Sequence, residues 1–226
     1  MHIPDGYLSP QTYIPLYGVA AAFWSVSLRK IKKALSQKEV PFVAISSAFS
    51  FIIMMFNIPV PGGTSGHAVG SGIIALILGP WTAVISVTVV LIIQALVFGD
   101  GGITAIGANS FNMAIVMPFV SYGVFKLING KSINGFRTYA AGFSAGYLGI
   151  LAAAICTAIE FGIQPLIAKG ADGKPLYSPY GLEITIPAMA IEHLLLFGII
   201  EGLITALILK YFISSNPELI YAIRNK

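Results

Sequence analysis

Residues 81–98, WTAVISVTVVLIIQALVF, form an apolar run that contains no charged side chain. A helix of about 20 predominantly apolar residues is long enough to cross the roughly 30 Å hydrocarbon core of a bilayer. The run lacks the strict alternation of polar and apolar residues that is typical of strands in an outer-membrane barrel. The stretch therefore predicts a membrane-spanning helix.

The rest of the 226-residue chain has the same character. Hydrophobic residues make up 56% of it and charged residues only 10%, with a mean hydropathy of +0.84. These values exclude an ordinary soluble domain. We predict a single integral membrane domain over residues 1–226, an all-α polytopic helical bundle of about seven transmembrane helices. The predicted spans lie at about 11–28, 40–58, 68–79, 81–98, 109–128, 139–163 and 187–213.

The third predicted span is short. Residues 68–79 could form a short span, a re-entrant piece or the first half of one long segment that ends at residue 98. With seven spans and an external N-terminus, every basic residue except Lys169 and Lys174 falls on the cytoplasmic side, as the positive-inside rule requires. We therefore predict seven spans, with the N-terminus outside and the C-terminus in the cytoplasm.

This topology brings two histidine-containing segments to the outer face. They are MHIPDGYLSP at residues 1–10 and PVPGGTSGHAVG at residues 59–70. The start of the chain has neither the basic region nor the apolar core of a cleavable secretory signal. The bulky second residue also disfavours removal of the initiator methionine, so we expect the mature chain to keep Met1.

The first two residues carry nitrogen atoms that could chelate a metal ion. The α-amine of Met1 and the imidazole of His2 flank one peptide nitrogen, so deprotonation of that amide would give three nitrogen ligands in fused rings. In-plane nitrogen ligands favour Ni(II) or Cu(II) over Zn(II), Mg(II) and Ca(II). His67 could supply the fourth corner of a square. We therefore predict a metal-binding segment at residues 1–10 and a metal-binding loop at residues 59–70.

Several neighbours are suited to orient these ligands. Pro4 has no amide proton, which limits chelation beyond residue 3, and glycines allow the His67 loop to bend closely over the site. Each histidine taken alone is more often an ordinary loop residue, and only their shared face favours a metal site. The candidates for hydrogen bonds to the ligands are Asp5, Thr64, Ser65 and Asn109.

At MHIPDGYLSP the sequence resembles the opening signature of the NikM/CbiM family, the substrate-capture (S) components of energy-coupling-factor transporters for nickel and cobalt. The resemblance continues through PGGTSGHAVG, residues 61–70, and GANSFNMA, residues 107–114. It implies a seven-helix, high-affinity metal-binding subunit in a prokaryotic cell membrane. It also implies metal ligands at the Met1 amine, the His2 amide and imidazole nitrogens, and the His67 imidazole.

The resemblance further implies partners that supply energy. These are a transmembrane coupling (T) protein and two cytoplasmic ATPases, while the need for a small accessory membrane protein is left open. The sequence around Gly130-Lys131-Ser132 lacks the earlier glycine of a Walker A motif, since Phe125 stands there. We expect Ni(II) or Co(II) as the transported substrate, membrane lipid as the surroundings, and no organic cofactor or nucleic acid. We expect no enzyme activity, because four nitrogens leave no in-plane position for a reactant.

A second hypothesis is a self-sufficient secondary metal/proton transporter. It would use Glu160, Glu192 and His193, since carboxylates within membrane spans are costly and often functional. Against it, adjacent residues on a helix point about 100° apart, which makes Glu192 and His193 a poor chelate. The GDGG stretch at residues 99–102 is expected to form a loop over the site. The external segment 164–186 is either a lid or a connector.

Two small-residue patterns are candidates for close helix packing. Gly18-x-x-x-Ala22 could contact the coupling subunit, and Gly142-x-x-x-Gly146 is the rival.

Overall fold

Helices dominate the architecture, because a backbone surrounded by lipid must satisfy its own hydrogen bonds. The computed structural model describes residues 1–34, 40–60, 64–130 and 135–224. The helices are α1 (Pro10–Ala34), α2 (Val40–Met54), α3 (Ser71–Leu78), α4 (Pro80–Ile93), α5 (Ile106–Asn109), α6 (Met117–Asn129), α7 (Phe136–Gly162), α8 (Gln164–Ile167), α9 (Leu182–Glu192), α10 (Gly198–Ser215) and α11 (Tyr221–Arg224), with a 3₁₀ turn at Pro217–Leu219.

Three of these helices widen into π-helical segments. α4 continues as Gln94–Phe98, α5 reaches α6 through Ser110–Val116, and α9 reaches α10 through His193–Phe197. π-Helical turns are rare and occur often at functional sites, because they change the direction in which side chains project. The three π-helical segments are therefore candidates for positions near a functional site.

All seven predicted spans coincide with helical segments. Four of these segments are long and apolar enough to cross a membrane: Pro80–Phe98, Ile106–Asn129, Phe136–Ile167 and Leu182–Ser215. By contrast, α2 has 15 residues and α3 only eight. Eight residues rise by about 12 Å, less than the hydrocarbon thickness. The number of seven spans and the orientation stay predictions, and the latter rests in part on Lys38, Lys131 and Lys226, which lie outside the described residues.

One small element departs from the all-α prediction. β1 (Ile58–Val60) pairs antiparallel with β2 (Thr64–Gly66), with Ile58 opposite Gly66 and Val60 opposite Thr64. The residue before a proline is driven out of the helical region, and Ile58 and Val60 each precede a proline. The extended backbone of this loop therefore has a local cause. Pro61, Gly62 and Gly63 of the predicted metal-binding loop lie outside the described residues.

The long helix α7 packs against α6, α9 and α10. Small residues make this possible: a Cβ added at Gly146 would lie 2.7 Å from the carbonyl oxygen of Glu201 on α10. The pattern Gly142-x-x-x-Gly146 therefore serves packing within the chain. Gly18 and Ala22, in contrast, are exposed on α1.

We expect Gly146→Ala to lower the free energy of unfolding by about 1–3 kcal/mol, because the new methyl group would push α10 away from α7. Gly123→Ala is the matched control, since a Cβ there would meet no other described atom within 4 Å. The thermal unfolding midpoint in detergent measures both. Equal midpoints for the two variants would contradict the close contact between α7 and α10.

Candidate metal site

The first residues of the chain are docked inside the bundle by the backbone of Ile3. Its N–H donates to Oδ1 of Asn109 at 2.9 Å, and its carbonyl oxygen accepts from Nδ2 of Asn109 at 3.1 Å. The same carbonyl accepts the N–H of Gly102 at 2.8 Å. The Ile3 side chain is fully buried. Because its N–H is already engaged, the Ile3 amide is not available to extend a chelate beyond His2.

The loop that contains GDGG lies directly against this segment. The Asp5 carboxylate accepts the N–H groups of Ile103 and Thr104 at 3.0 and 2.8 Å. A Cβ at Gly101 would lie 3.3 Å from Cδ2 of His2, and one at Gly102 would overlap the backbone of Asp5. The hydrogen bonds from Thr104 and Ile103 hold the pKa of Asp5 below its usual value. The loop therefore covers the terminus, as the sequence predicts.

The structure brings His2 and His67 together. Nδ1 of His2 lies 3.0 Å from Nε2 of His67, and the rings are stacked with centroids 4.7 Å apart. The His67 residue is 1% exposed and the His2 side chain 5%. The two histidines, 65 residues apart in the sequence, thus form one buried pair.

Hydrogen bonds on the far side of each ring fix which nitrogen carries the proton. Nε2 of His2 lies 3.1 Å from Oε1 of Gln94, an acceptor, so this nitrogen donates and Nδ1 carries a lone pair. Nδ1 of His67 lies 3.0 Å from the carbonyl oxygen of Ala68, so its Nε2 carries a lone pair as well. Two lone pairs that face each other at 3.0 Å repel unless a proton or a metal ion lies between them.

The charge of the Met1 amine acts on both imidazoles. Met1 is 5% exposed, and burial lowers the pKa of its amine to about 6, against the opposing charges of Glu192 and Asp100. Burial and then the positive amine lower the pKa of His2 to about 3. Burial, His2 and the amine hold the pKa of His67 well below its usual value. All three groups are therefore close to neutral at physiological pH, the state in which nitrogen binds a metal.

One acidic side chain, that of Asp100, lies beside this cluster of nitrogens. Oδ1 of Asp100 is 3.4 Å from Nδ1 of His2, and its side chain is 29% exposed. Burial raises the pKa of Asp100, while the Met1 amine opposes that shift. Asp100 therefore places a partly exposed carboxyl group beside the nitrogen pair.

The residues of the secondary-transporter hypothesis make separate hydrogen bonds. Glu160, on α7, accepts a hydrogen bond from Nδ2 of Asn112 at 2.8 Å. Glu192 and His193 are both buried, with Oε1 of Glu192 3.4 Å from Nδ1 of His193. That nitrogen already donates to the carbonyl oxygen of Met189 at 2.8 Å. None of these contacts joins Glu160 to Glu192 or His193, so they do not support a proton relay from Glu160 to His193.

Sequence reasoning found part of this arrangement. Asn109 and Asp5, two of the four proposed orienting residues, hold the N-terminal segment; the side chains of Thr64 and Ser65 lie outside what the structure describes. Gln94 was missed, because a glutamine in an apolar run carries no pattern, although a buried polar side chain in a span is itself a signal. The segment 164–186 touches the terminus through the N–H of Ser178, which donates to the Tyr7 carbonyl at 3.1 Å.

Each π-helical segment contains, or directly follows, a residue that contacts the N-terminal segment or the His67 loop. Gln94 begins the first and binds His2, Asn109 directly precedes the second and binds Ile3, and Phe197 ends the third. A Cβ at Gly66 would overlap the Phe197 ring, so the His67 loop rests on that ring. Among the described residues there is no cluster of three or more His, Cys, Asp or Glu side chains suited to a metal. Such a cluster consists of side chains, whereas the predicted ligands also include the Met1 amine and the backbone amide between Met1 and His2.

Comparisons with known proteins point to metal transport. A family model described as the cobalt uptake substrate-specific transmembrane region, CbiM, matches residues 2–219. The chain is 50% identical over 221 residues to the fused nickel transport protein NikMN of Rhodobacter capsulatus, and the match covers 97% of this chain and 64% of that protein. It is 32% identical over 220 residues to the cobalt transport protein CbiM of Thermosipho melanesiensis, covering 96% and 88%.

A solved structure agrees with the fold. The crystal structure of a truncated transition metal transporter matches with a TM-score of 0.90 and 51% sequence identity, covering 95% of this chain and 99% of that one. The fused Rhodobacter relative is longer, since this chain spans 64% of its length.

We expect Asn109→Ala to loosen the N-terminal segment, because the buried N–H of Ile3 would lose its acceptor at a cost of about 1–3 kcal/mol. Amide hydrogen exchange at Ile3 should accelerate roughly tenfold or more. The control is Asn57→Ala, at an exposed position after α2. Exchange at Ile3 that is equally slow in both variants would show that Asn109 does not hold the terminus.

Proposed function

Because the chain belongs to the CbiM family of nickel and cobalt transport proteins, we propose that it is the substrate-binding membrane subunit of an ATP-driven, energy-coupling-factor importer for nickel or cobalt ions. In this proposal it captures the ion outside the cell with the Met1 amine, the His2 amide and imidazole, and the His67 imidazole. The family consists of metal transporter components and not of enzymes.

The observation that supports this proposal most directly is the facing pair of imidazole nitrogens. Adjacent corners of a square of nitrogens lie about 2.9 Å apart when the metal–nitrogen bonds are about 2.0–2.1 Å long. The 3.0 Å between Nδ1 of His2 and Nε2 of His67 fits such an edge. An ion placed there would also remove the repulsion between the two lone pairs.

The chemistry of capture follows from the ligands. The Met1 amine and both imidazoles are held in their neutral forms by burial, so only the amide between Met1 and His2 must lose a proton when the metal–nitrogen bond forms. A divalent ion with one anionic nitrogen keeps a single positive charge. The Asp100 carboxylate, 3.4 Å from His2, is placed to attract the ion and to offset that charge.

Planar nitrogen ligation favours nickel, since Ni(II) readily adopts square-planar geometry. The family includes both nickel and cobalt transport proteins, as the Rhodobacter and Thermosipho relatives illustrate. We therefore keep both ions as substrates in the proposal.

The remaining parts of the proposal concern partners and location. We infer a transmembrane coupling protein and two cytoplasmic ATPases, with a small accessory membrane protein left open. The proposed location is the plasma membrane of a prokaryotic cell. The four long apolar helices support a membrane location, and the exposed Gly18 and Ala22 on α1 offer a surface of small residues to a partner helix.

Adding one residue before Met1 should abolish tight binding of nickel, because the extension moves the amine away from its corner while leaving the bundle unchanged. A chain with the same residue added after Lys226 is the matched control and should bind as the unmodified chain does. Metal titration of the purified proteins measures this. Equal affinity of the two extended chains would exclude the amine as a ligand.

The number of protons released per ion tests the amide ligand. Above the amine pKa of about 6, capture should release about one proton, from the amide; towards about pH 5 the count should rise to about two, because the amine must then also lose its proton. The imidazoles are expected to add no further proton, since burial lowers the pKa of His2 to about 3 and holds the pKa of His67 well below its usual value. Calorimetry of nickel binding in buffers of different ionisation enthalpy measures the count. Release of no protons at about pH 7.5 would show that the amide keeps its proton.

A further inference from the structure

We propose that Glu201 is a positioning residue for the proposed metal ligand His67, and that it acts through the rigid peptide group between Ala68 and Val69. This inference rests on the proposed function. Glu201 lies in the first turn of α10, within the apolar segment Leu182–Ser215. It is fully buried and lies more than 130 residues along the chain from the loop that it contacts.

The contact is with the backbone of the His67 loop. Oε2 of Glu201 accepts the N–H of Val69 at 2.8 Å, and Oε1 accepts the N–H of Gly70 at 3.0 Å. The carboxylate therefore holds two successive N–H groups immediately after the proposed ligand.

The first of these peptide groups connects Glu201 to the imidazole. The N–H of Val69 and the carbonyl of Ala68 belong to one planar unit, so fixing one end fixes the direction of the other. Nδ1 of His67 donates to that carbonyl oxygen at 3.0 Å. Glu201 thus sets the orientation of the acceptor that determines the tautomer of His67 and aims its Nε2 at His2.

The second peptide group is fixed in the same way. Its N–H, on Gly70, donates to Glu201, and its carbonyl oxygen, on Val69, accepts a hydrogen bond from the Ser50 hydroxyl at 2.8 Å. Ser50 is fully buried on α2. The loop is therefore held from α10 and α2 together, and rotation of either peptide plane would break a buried hydrogen bond.

The charge of Glu201 argues for more than a helix cap. The two N–H groups precede the short helix α3, and a serine or asparagine would cap such a helix without placing a carboxylate in a membrane span. A carboxylate adds polarisation: it strengthens the Ala68 carbonyl as an acceptor through the shared peptide group and so makes His67 a better donor of its Nε2 lone pair. Carboxylates that hydrogen-bond directly to metal-bound histidines have this effect; here a peptide group lies between them.

The test is a double-mutant cycle on the full-length chain with its native start. Glu201→Gln replaces one acceptor oxygen with an amide NH2 group, which is a donor and cannot accept a backbone N–H. We expect nickel affinity to fall about 10- to 100-fold, the range typical of residues that support metal ligands. His67→Ala should weaken binding at least as much, and the double variant should bind no more weakly than His67→Ala alone. Glu183→Gln, at an exposed carboxylate in the first turn of α9, is the matched control.

The absorption spectrum of bound nickel gives the second readout. Because Glu201 acts through His67, the spectrum of Glu201→Gln should shift from the native spectrum towards that of His67→Ala, whereas a merely destabilised protein would keep the native spectrum in its bound fraction. If Glu201→Gln binds like Glu183→Gln, or if the double variant loses the sum of both effects, Glu201 does not act through His67. If His67→Ala itself binds like the unmodified chain, the proposed ligand set is wrong instead.

A second variant covers the case in which Glu201→Gln cannot be purified in folded form. Ser50→Ala removes the other hydrogen bond to the same peptide pair and keeps the carboxylate. It should weaken nickel binding several-fold and add nothing to His67→Ala. Native affinity of Ser50→Ala would then overturn the inference.

Discussion

The arrangement of the site depends on the hydrogen bonds by which Asn109 holds the N-terminal segment inside the bundle. A terminal segment is ordinarily mobile, and ordering it costs about 1–2 kcal/mol per residue in backbone entropy alone. Here the two hydrogen bonds between Asn109 and Ile3 and the buried side chains of Ile3 and Leu8 offset part of that cost. Only because the terminus is held can an amine, an amide and an imidazole from adjacent residues share one place beside His67. Without this docking the same atoms would sample many positions, and a fourth ligand from the loop would have no fixed partner.

Burial of this terminus has an electrostatic consequence. A positive charge is unfavourable in a medium of low polarity, which is why the pKa values of the Met1 amine and of both imidazoles lie below their ordinary values. In the proposed function, the neutral nitrogens would bind a metal ion without competition from protons. A divalent ion in the same place would face the same penalty, and it would be offset by the anionic amide and by the neighbouring carboxylates of Asp100 and Glu192.

The sequence predicted the elements that depend on local pattern. Each of the seven predicted apolar runs overlaps a helical segment, while the number of spans stays a prediction. The chemistry of the first two residues, with the predicted topology, pointed to His67 as their partner, and Nδ1 of His2 lies 3.0 Å from Nε2 of His67. It could not predict the π-helical segments, because one extra residue per turn leaves no mark on a uniformly apolar run. It also could not assign Gln94 or Glu201, whose partners lie 92 and about 130 residues away and are determined by helix packing alone.

The two arms of the proposed site are fixed to different parts of the bundle. The N-terminal arm is bound to Asn109 and to the loop at Thr104, whereas the His67 arm is bound to α10 through Glu201 and to α2 through Ser50. Metal–nitrogen bonds tolerate changes of only a few tenths of an ångström. A relative displacement of about 1 Å between α10 and the Asn109 region would therefore separate the nitrogen pair while leaving each arm intact. Helix packing and metal affinity are thus coupled by geometry, and any partner that shifts α10 would act on the ion without touching it.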